Sequence, residues 1–296
     1  MAWQMNLSNA IVDYLIRENN YMNFEFDLNS LTTYFCKPMF NDIEASPGAS
    51  CFFYRKNNID YLITNWHVVT GKNAEDGICL NKTTATVPNK LRVDFFKCEN
   101  GSVIQLGKNA SEQFFYDIPL LSDEGIPLWL EYDGGFPKVD VVALPVNLNF
   151  PFLRINEKNA SISINYNEER NVSAGDDVFV IGYPLGIKSP GNLPIWKRAS
   201  VASEPIVSES YDKPYFLIDT ASREGMSGSP VIFKKNADVY NAKISGGKII
   251  FNQTKILLGV YSGRLGVDKK EDPQDLKAQL GIVWPQRVID EIIDDK

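Results

Sequence analysis

The sequence contains a single histidine, His67, directly after the strand-like run Leu62–Thr64. A lone histidine is often a structural residue with a satisfied ring, but imidazole is also the side chain best suited to exchange protons near neutral pH. No second histidine and no cysteine cluster accompany His67, so a catalytic zinc site is not expected. If His67 is catalytic, its partners are a nucleophile and an acid.

A candidate nucleophile is Ser227, which lies in the glycine-rich segment Gly225–Pro230 before the strand-like run Val231–Phe233. Such a turn exposes the serine and lets backbone N–H groups converge on one point, as an oxyanion hole requires. An ordinary loop can have the same composition. The α/β-hydrolase elbow does not fit, because Ser229 stands where that motif has glycine and because the histidine precedes the serine.

A candidate acid is Asp140, near the start of the apolar run Val139–Leu144. A buried carboxylate is costly unless it is paired, and a histidine N–H is a natural partner. A strand-end carboxylate in solvent is the alternative. In chain order, His67, Asp140 and Ser227 have the order of the chymotrypsin-type catalytic triad.

These motifs together resemble those of the trypsin-like peptidases, over about residues 48 to 295. The segments Thr64–Val69, Val139–Leu144 and Gly225–Pro230 resemble the family's histidine, aspartate and serine motifs. Gly182–Gly186 resembles the turn early in the second barrel of bacterial members. Leu258–Gly263 resembles the strand that lines the substrate cleft, and Leu280–Trp284 resembles the last barrel strand. The likeness is greatest to bacterial intracellular or cell-envelope domains.

The fold predicted by this resemblance is all-β, with two antiparallel six-stranded β-barrels and short N- and C-terminal helices. Short runs rich in Val, Ile, Tyr and Phe between turn residues support it. We expect an N-terminal extension with a helix over 1–46, a first barrel with His67 and Asp140 over 47–150, and a second barrel with Ser227 over 151–296. The last domain includes a helix from Pro285 to Ile293.

The resemblance implies a serine endopeptidase without metal or organic cofactor, in which the N–H groups of Gly225 and Ser227 form the oxyanion hole. It places the base of the S1 pocket, which holds the substrate residue P1 before the cleaved bond, at Ala221. The walls of that pocket are expected at Ser222, Ser262, Gly263, Arg264 and Gly281. With Ala221 at its base, the pocket is expected to take a small-to-medium apolar P1 side chain. In the alternative, Arg264 and Arg223 reach the cleft and either favour an acidic P1 group or narrow the pocket.

Met226 stands where secreted members have an aspartate that binds a freshly cut N-terminus, so activation by that salt bridge is not expected. We hypothesise instead that a partner, a ligand or the N-terminal segment up to about Ala45 gates the catalytic turn. A catalytically silent or gated scaffold that binds peptides or partner proteins is the alternative to an endopeptidase. An esterase with the same triad is a third interpretation.

The composition limits the other function classes. The net charge is −7 without a strongly basic stretch, so nucleic acid is not an expected partner. No run of apolar residues reaches membrane-spanning length, and the N-terminus does not resemble a secretion signal. We therefore predict a cytoplasmic protein that acts on a protein or peptide substrate. Reduced cysteines are the simplest expectation, and one or two disulfides are the alternative.

Overall fold

The computed structural model describes residues 27–81, 86–96, 98–99, 102–103, 113–133, 135–157, 162–163, 172–210, 214–221, 223–235, 243–245, 248–250, 254–265 and 279–295. The strands of the N-terminal half are β1 Thr33–Phe40, β2 Ile43–Glu44, β3 Ala49–Lys56, β4 Ile59–Thr64, β5 Lys90–Phe96, β6 Cys98–Glu99, β7 Ser102–Val103, β8 Gln113–Pro119, β9 Leu130–Glu131 and β10 Val142–Val146. Those of the C-terminal half are β11 Ile162–Ser163, β12 Asp177–Gly182, β13 Ile195–Val201, β14 Phe216–Asp219, β15 Pro230–Lys235, β16 Lys243–Ser245, β17 Lys248–Ile250, β18 Thr254–Arg264 and β19 Leu280–Pro285. The α-helices are α1 Trp66–Thr70 and α2 Gln286–Asp294, and 3₁₀ turns lie at Leu28–Leu31, Pro184–Gly186, Pro190–Asn192 and Pro205–Ser210.

The strands of the first half form one antiparallel sheet in the order β8-β5-β1-β3-β4-β10-β9, with β2 beside β1. No pairing between described residues joins β8 to β10, so this sheet is an open half-barrel. The second sheet runs β18-β15-β12-β13-β14-β19, and β19 pairs with β18 to close a six-stranded barrel. The predicted all-β architecture is therefore confirmed, although hydrogen bonds close only the second barrel.

The central strand β1 lies inside the range 1–46, which was expected to form an extension with a helix. The residue pattern did not indicate a strand there. Pro38 interrupts its apolar pattern, and a proline cannot donate to a sheet. The strand tolerates it because only Thr33–Cys36 pair with β3, so Pro38 lies beyond that ladder. The first sheet thus begins before residue 47, and the other domain limits stay predictions.

A buried apolar cluster joins the two sheets and carries α2. It includes Ile63 of β4, Ile232 of β15 and Trp284 of β19, each at most 6% exposed. The predicted apolar face of the C-terminal helix is confirmed, since Val288, Ile289 and Ile292 pack into this cluster. The predicted N-terminal helix falls outside the described residues. No helix within the described residues is long and apolar enough to cross a membrane.

The segment that leaves β10 is held against β4 by a partly buried ion cluster. The guanidinium groups of Arg154 and Arg55 each donate two hydrogen bonds to the carboxylate of Asp60. Burial raises the pKa of Asp60, but these hydrogen bonds and charges outweigh it and hold the pKa below 3.8. The cluster therefore fixes the connection between the two sheets through its charge.

Replacing Asp60 with asparagine is expected to destabilise the fold by about 3 kcal/mol, because the buried guanidinium of Arg154 loses its two-pronged partner and keeps only the carboxylate of Glu157. Since the folded pKa is the lower one, this stabilisation is present above pH 3.8 and is lost as the pH falls through the folded pKa. Urea unfolding at neutral and acidic pH measures both effects. Asp177→Asn is the matched control, because Asp177 also has a two-pronged arginine partner, Arg198, but is exposed. Equal losses in the two variants would contradict the prediction.

Candidate active site

His67 is the second residue of the short helix α1, which follows β4 without a loop. Asn65 occupies the N-cap position, but its side chain makes no capping hydrogen bond. Its amide Nδ2 instead donates to the backbone carbonyl of Asp140 at 2.7 Å. Gly71 ends the helix in the left-handed region, at φ +67°. The helix therefore places His67 at the end of β4, and Asn65 links the start of the helix to Asp140.

Asp140 lies two residues before β10, and the pairing of Val142 with Thr64 brings it beside α1. One carboxylate oxygen, Oδ1, accepts the backbone N–H of His67 at 2.8 Å, and the other, Oδ2, lies 2.6 Å from the ring Nδ1. Ser262 of β18 donates its hydroxyl to the same Oδ2 at 2.5 Å. An ionised carboxylate only accepts hydrogen bonds, so Nδ1 carries the ring proton and Nε2 is left as the basic nitrogen.

The interaction between Asp140 and His67 outweighs the effect of burial on the pKa of each group. Burial raises the pKa of Asp140, but the charge of His67 and the hydrogen bonds from His67 and Ser262 lower it below 3.8. Burial lowers the pKa of His67, but the charge and the hydrogen bond of Asp140 outweigh it and raise the pKa above 6.5. The side chains are 6% and 21% exposed for Asp140 and His67. The site therefore holds a carboxylate that stabilises an imidazolium.

The turn around Ser227 depends on glycine and on an apolar anchor. Gly225 and Gly228 have φ angles of +89° and +81°, in the left-handed region. A Cβ at Gly225 would lie 2.3 Å from the carbonyl oxygen of Tyr183, so a side chain is excluded there. Met226 is fully buried in the core of the second barrel. Packing of Met226 therefore anchors the turn in the core of the second barrel.

Ser50 of β3 fastens the turn to the first sheet. Its backbone N–H donates to the carbonyl of Ser227 at 2.8 Å, and its hydroxyl donates to the carbonyl of Gly225 at 2.9 Å. The same hydroxyl accepts the N–H of Tyr183 at 3.1 Å. Residues far apart in the sequence thus position the serine, and no local motif around Ser50 signals this role.

In two peptide groups of the serine turn the carbonyl accepts a hydrogen bond, and the N–H lies on the opposite side of the peptide plane. The carbonyl of Glu224 accepts the N–H of Leu185, and the carbonyl of Met226 accepts the N–H of Ser229. A trans peptide points its N–H opposite to its carbonyl, so the N–H groups of Gly225 and Ser227 point away from these acceptors. Within the described part of the chain neither N–H donates a hydrogen bond. The turn therefore offers two donors to a ligand.

His67, Asp140 and Ser227 all line one cavity of about 470 Å³. No hydrogen bond between described residues joins the Ser227 hydroxyl to the imidazole, and such contacts often tighten only when substrate binds. Three of the residues expected around S1 line this cavity: Ser262, Gly263 and Arg264. Ala221 and Gly281 are not part of its lining, and Ser222 lies outside the described residues.

Three contacts of the site were not expected from the sequence. Asn65 and Ser262 position Asp140, and Ser50 fastens the serine turn. Each of these contacts joins residues that are far apart in the sequence. Asn65 lies inside the histidine motif, so its position was a usable signal. Ser262 was assigned to the substrate pocket, whereas its hydroxyl is directed at the Asp140 carboxylate.

A family model described as "Trypsin-like peptidase domain" matches residues 49–239, which include all of His67, Asp140 and Ser227. The chain belongs to this family of trypsin-like peptidase domains, and its two sheets form a chymotrypsin-like fold. The predicted resemblance is thereby confirmed. No curated protein matches the chain.

Among solved structures, the chain is similar to Rv3671c from M. tuberculosis. An inactive form of a serine-to-alanine mutant from strain H37Rv has 17% identity, with 90% of this chain and 86% of that chain covered and a TM-score of 0.41. The active form of the protease has 16% identity, with 90% and 80% covered and a TM-score of 0.43. The family assignment rests on the family model rather than on these structures.

Proposed function

We propose that this protein is a serine endopeptidase that uses His67, Asp140 and Ser227 as its catalytic triad. The observation that carries the proposal is the buried Asp140–His67 pair, with Nδ1 and Oδ2 2.6 Å apart, in a cavity that Ser227 also lines. Membership of a peptidase family supports a protein or peptide as the substrate.

In the proposed reaction, Ser227 Oγ attacks the carbonyl carbon of the scissile peptide bond while His67 Nε2 takes the hydroxyl proton. The imidazolium then gives this proton to the nitrogen of the leaving amine, and an acyl-enzyme forms on Ser227. Water, deprotonated by the same Nε2, then attacks the acyl carbon. The bond between this carbon and Ser227 Oγ breaks, the imidazolium returns its proton to Oγ, and the acid is released. Asp140 stays ionised throughout and stabilises the imidazolium, and the lowered pKa of Asp140 and the raised pKa of His67 support this role.

The N–H groups of Gly225 and Ser227 are proposed to bind the oxyanion of each tetrahedral intermediate. Among the residues that the structure describes, neither N–H group has an acceptor, and this supports the role. Because the turn is fixed by Met226 and Ser50 before substrate arrives, these donors need little reorganisation during the reaction. One such donor typically contributes on the order of 10² to 10³ in rate.

Cavities on both sides of the serine turn support cleavage within a chain rather than at its end. Ser227 and Glu224 line the cavity with the triad. A second cavity of about 410 Å³ lies beyond Gly225 and Glu224 and includes Phe35 and Leu185 in its walls. A peptide can therefore extend past the proposed reaction centre in both directions.

Covalent labelling with a fluorophosphonate probe tests the function, because only an activated serine reacts quickly with it. Intact mass and peptide mapping are expected to find one adduct, on Ser227, and none in Ser227→Ala. Ser122→Ala, in an exposed turn of the first half, is the control and should label like the natural protein. Folded protein without labelling would instead indicate a silent or gated scaffold. Relative turnover of matched peptide and ester substrates then separates a peptidase from an esterase.

A further inference from the structure

Tyr261 is the residue of β18 that adjoins the serine turn. Its carbonyl accepts the N–H of Gly228 at 2.9 Å, and its N–H donates to the carbonyl of Ser229 at 2.9 Å. These two hydrogen bonds fix the Cα of Tyr261 beside the proposed nucleophile. The backbone of this residue therefore has no freedom to move its side chain away from the turn.

The ring of Tyr261 faces the interior of the second barrel. Successive side chains of a strand point to opposite faces, so Ser262 faces Asp140 while Tyr261 faces inwards. The ring is 1% exposed and packs in the same core cluster as Met226 and Val283. Tyr261 is also one of the residues that line the cavity containing Ser227.

Gly281 of β19 shows how fully the ring occupies this space. A Cβ built on Gly281 would lie only 2.4 Å from Cε2 of Tyr261, with Thr220 Cγ2 at 3.1 Å and Ile218 Cγ1 at 3.3 Å. Gly281 therefore packs directly against the ring of Tyr261, and a side chain at this position would collide with it. On the same strand Ile282 and Trp284 line the cavity that contains Ser227, so the ring takes up the end of this space at Gly281, where a wall of the S1 pocket was expected.

From this packing we infer that Tyr261 determines substrate specificity by restricting P1 to glycine, alanine or serine. The inference rests on the proposed endopeptidase function. A larger P1 side chain directed inwards from Ser227 would have to displace a ring that the barrel core surrounds, and close-packed interiors resist such changes. Tyr261 thus acts as the floor of a shallow pocket, in place of Ala221.

Two peptide-phosphonate probes that differ only in alanine or phenylalanine at P1 test this inference. In the natural protein the alanine probe is expected to label Ser227 faster by a factor on the order of 10². Tyr261→Val removes the ring and should lower this ratio at least about tenfold by speeding the phenylalanine probe. Tyr261→Phe keeps the ring volume and should keep the ratio.

The outcomes separate the pocket from the chemistry. Faster labelling by the phenylalanine probe, or a ratio that Tyr261→Val leaves unchanged, overturns the role of Tyr261 while the serine chemistry stands. No labelling of folded protein by either probe overturns the proposed function, and this inference with it. The comparison of the two probes on the natural protein needs no variant, so faster labelling by the phenylalanine probe overturns the inference even if Tyr261→Val does not fold.

Discussion

Replacing His67 with alanine is expected to lower kcat by a factor on the order of 10⁶, as for the loss of a triad histidine in other serine peptidases. The reason is that no other side chain can take its place. The sequence has only this histidine, and the Asp140 carboxylate is engaged by the backbone N–H of His67 and by Ser262. Single-turnover labelling by the alanine phosphonate and steady-state hydrolysis of a matched peptide both measure the loss.

The fold of His67→Ala should be preserved, because α1 is also fixed by its buried apolar residues Val68 and Val69. Thermal unfolding compared with the natural protein serves as the check. A variant that stays folded and keeps activity within about tenfold, only about 1.4 kcal/mol of transition-state stabilisation, would exclude His67 as the general base. Because a fully inactive Ser227→Ala has no further activity to lose, the double variant should be no slower than either single one.

The members of the proposed triad could be singled out in the sequence because each lies in a short segment with its own chemical pattern. A glycine-flanked serine, a lone histidine after a strand and an acid before an apolar run are all local features. The pairing of β4 with β10 was not visible in any of these segments, yet it is what brings Asp140 to 2.6 Å from His67. Its geometry comes from register between distant strands, which the resemblance alone implied.

The contacts that support the site were beyond local patterns for the same reason. Ser50 reaches the serine turn only after β3 and the second barrel have packed together. The expected pocket base, Ala221, was implied by the family resemblance, but a resemblance between sequences does not report the direction of a neighbouring side chain. Tyr261 fills that region because the alternation of β18 points its ring inwards, against Gly281. Side-chain direction and long-range packing are thus the parts of this site that require a structure.

Replacing Asp140 with asparagine is expected to lower kcat by about 10⁴-fold, because an amide can hold the imidazole in the wrong tautomer and cannot stabilise its charge. The pKa of His67 should fall at the same time. Burial lowers this pKa and only Asp140 raises it, so without the carboxylate the pKa should move from above 6.5 to below it. The remaining activity should therefore persist to lower pH than in the natural protein, since the general base is then neutral over a wider range.

Proton NMR can follow this titration without assignment, because the chain has a single histidine. The imidazole signals of the natural protein should titrate with a pKa above 6.5, and those of Asp140→Asn with a pKa below it. Asp133→Asn makes the same exchange at an exposed position shortly before Asp140 and should leave the titration unchanged. An unaltered pKa in Asp140→Asn, with kcat lowered all the same, would mean that Asp140 acts only by orienting the ring. An unaltered kcat would exclude Asp140 from the mechanism. Its carboxylate would then neither fix the tautomer of His67 nor stabilise the imidazolium during the reaction.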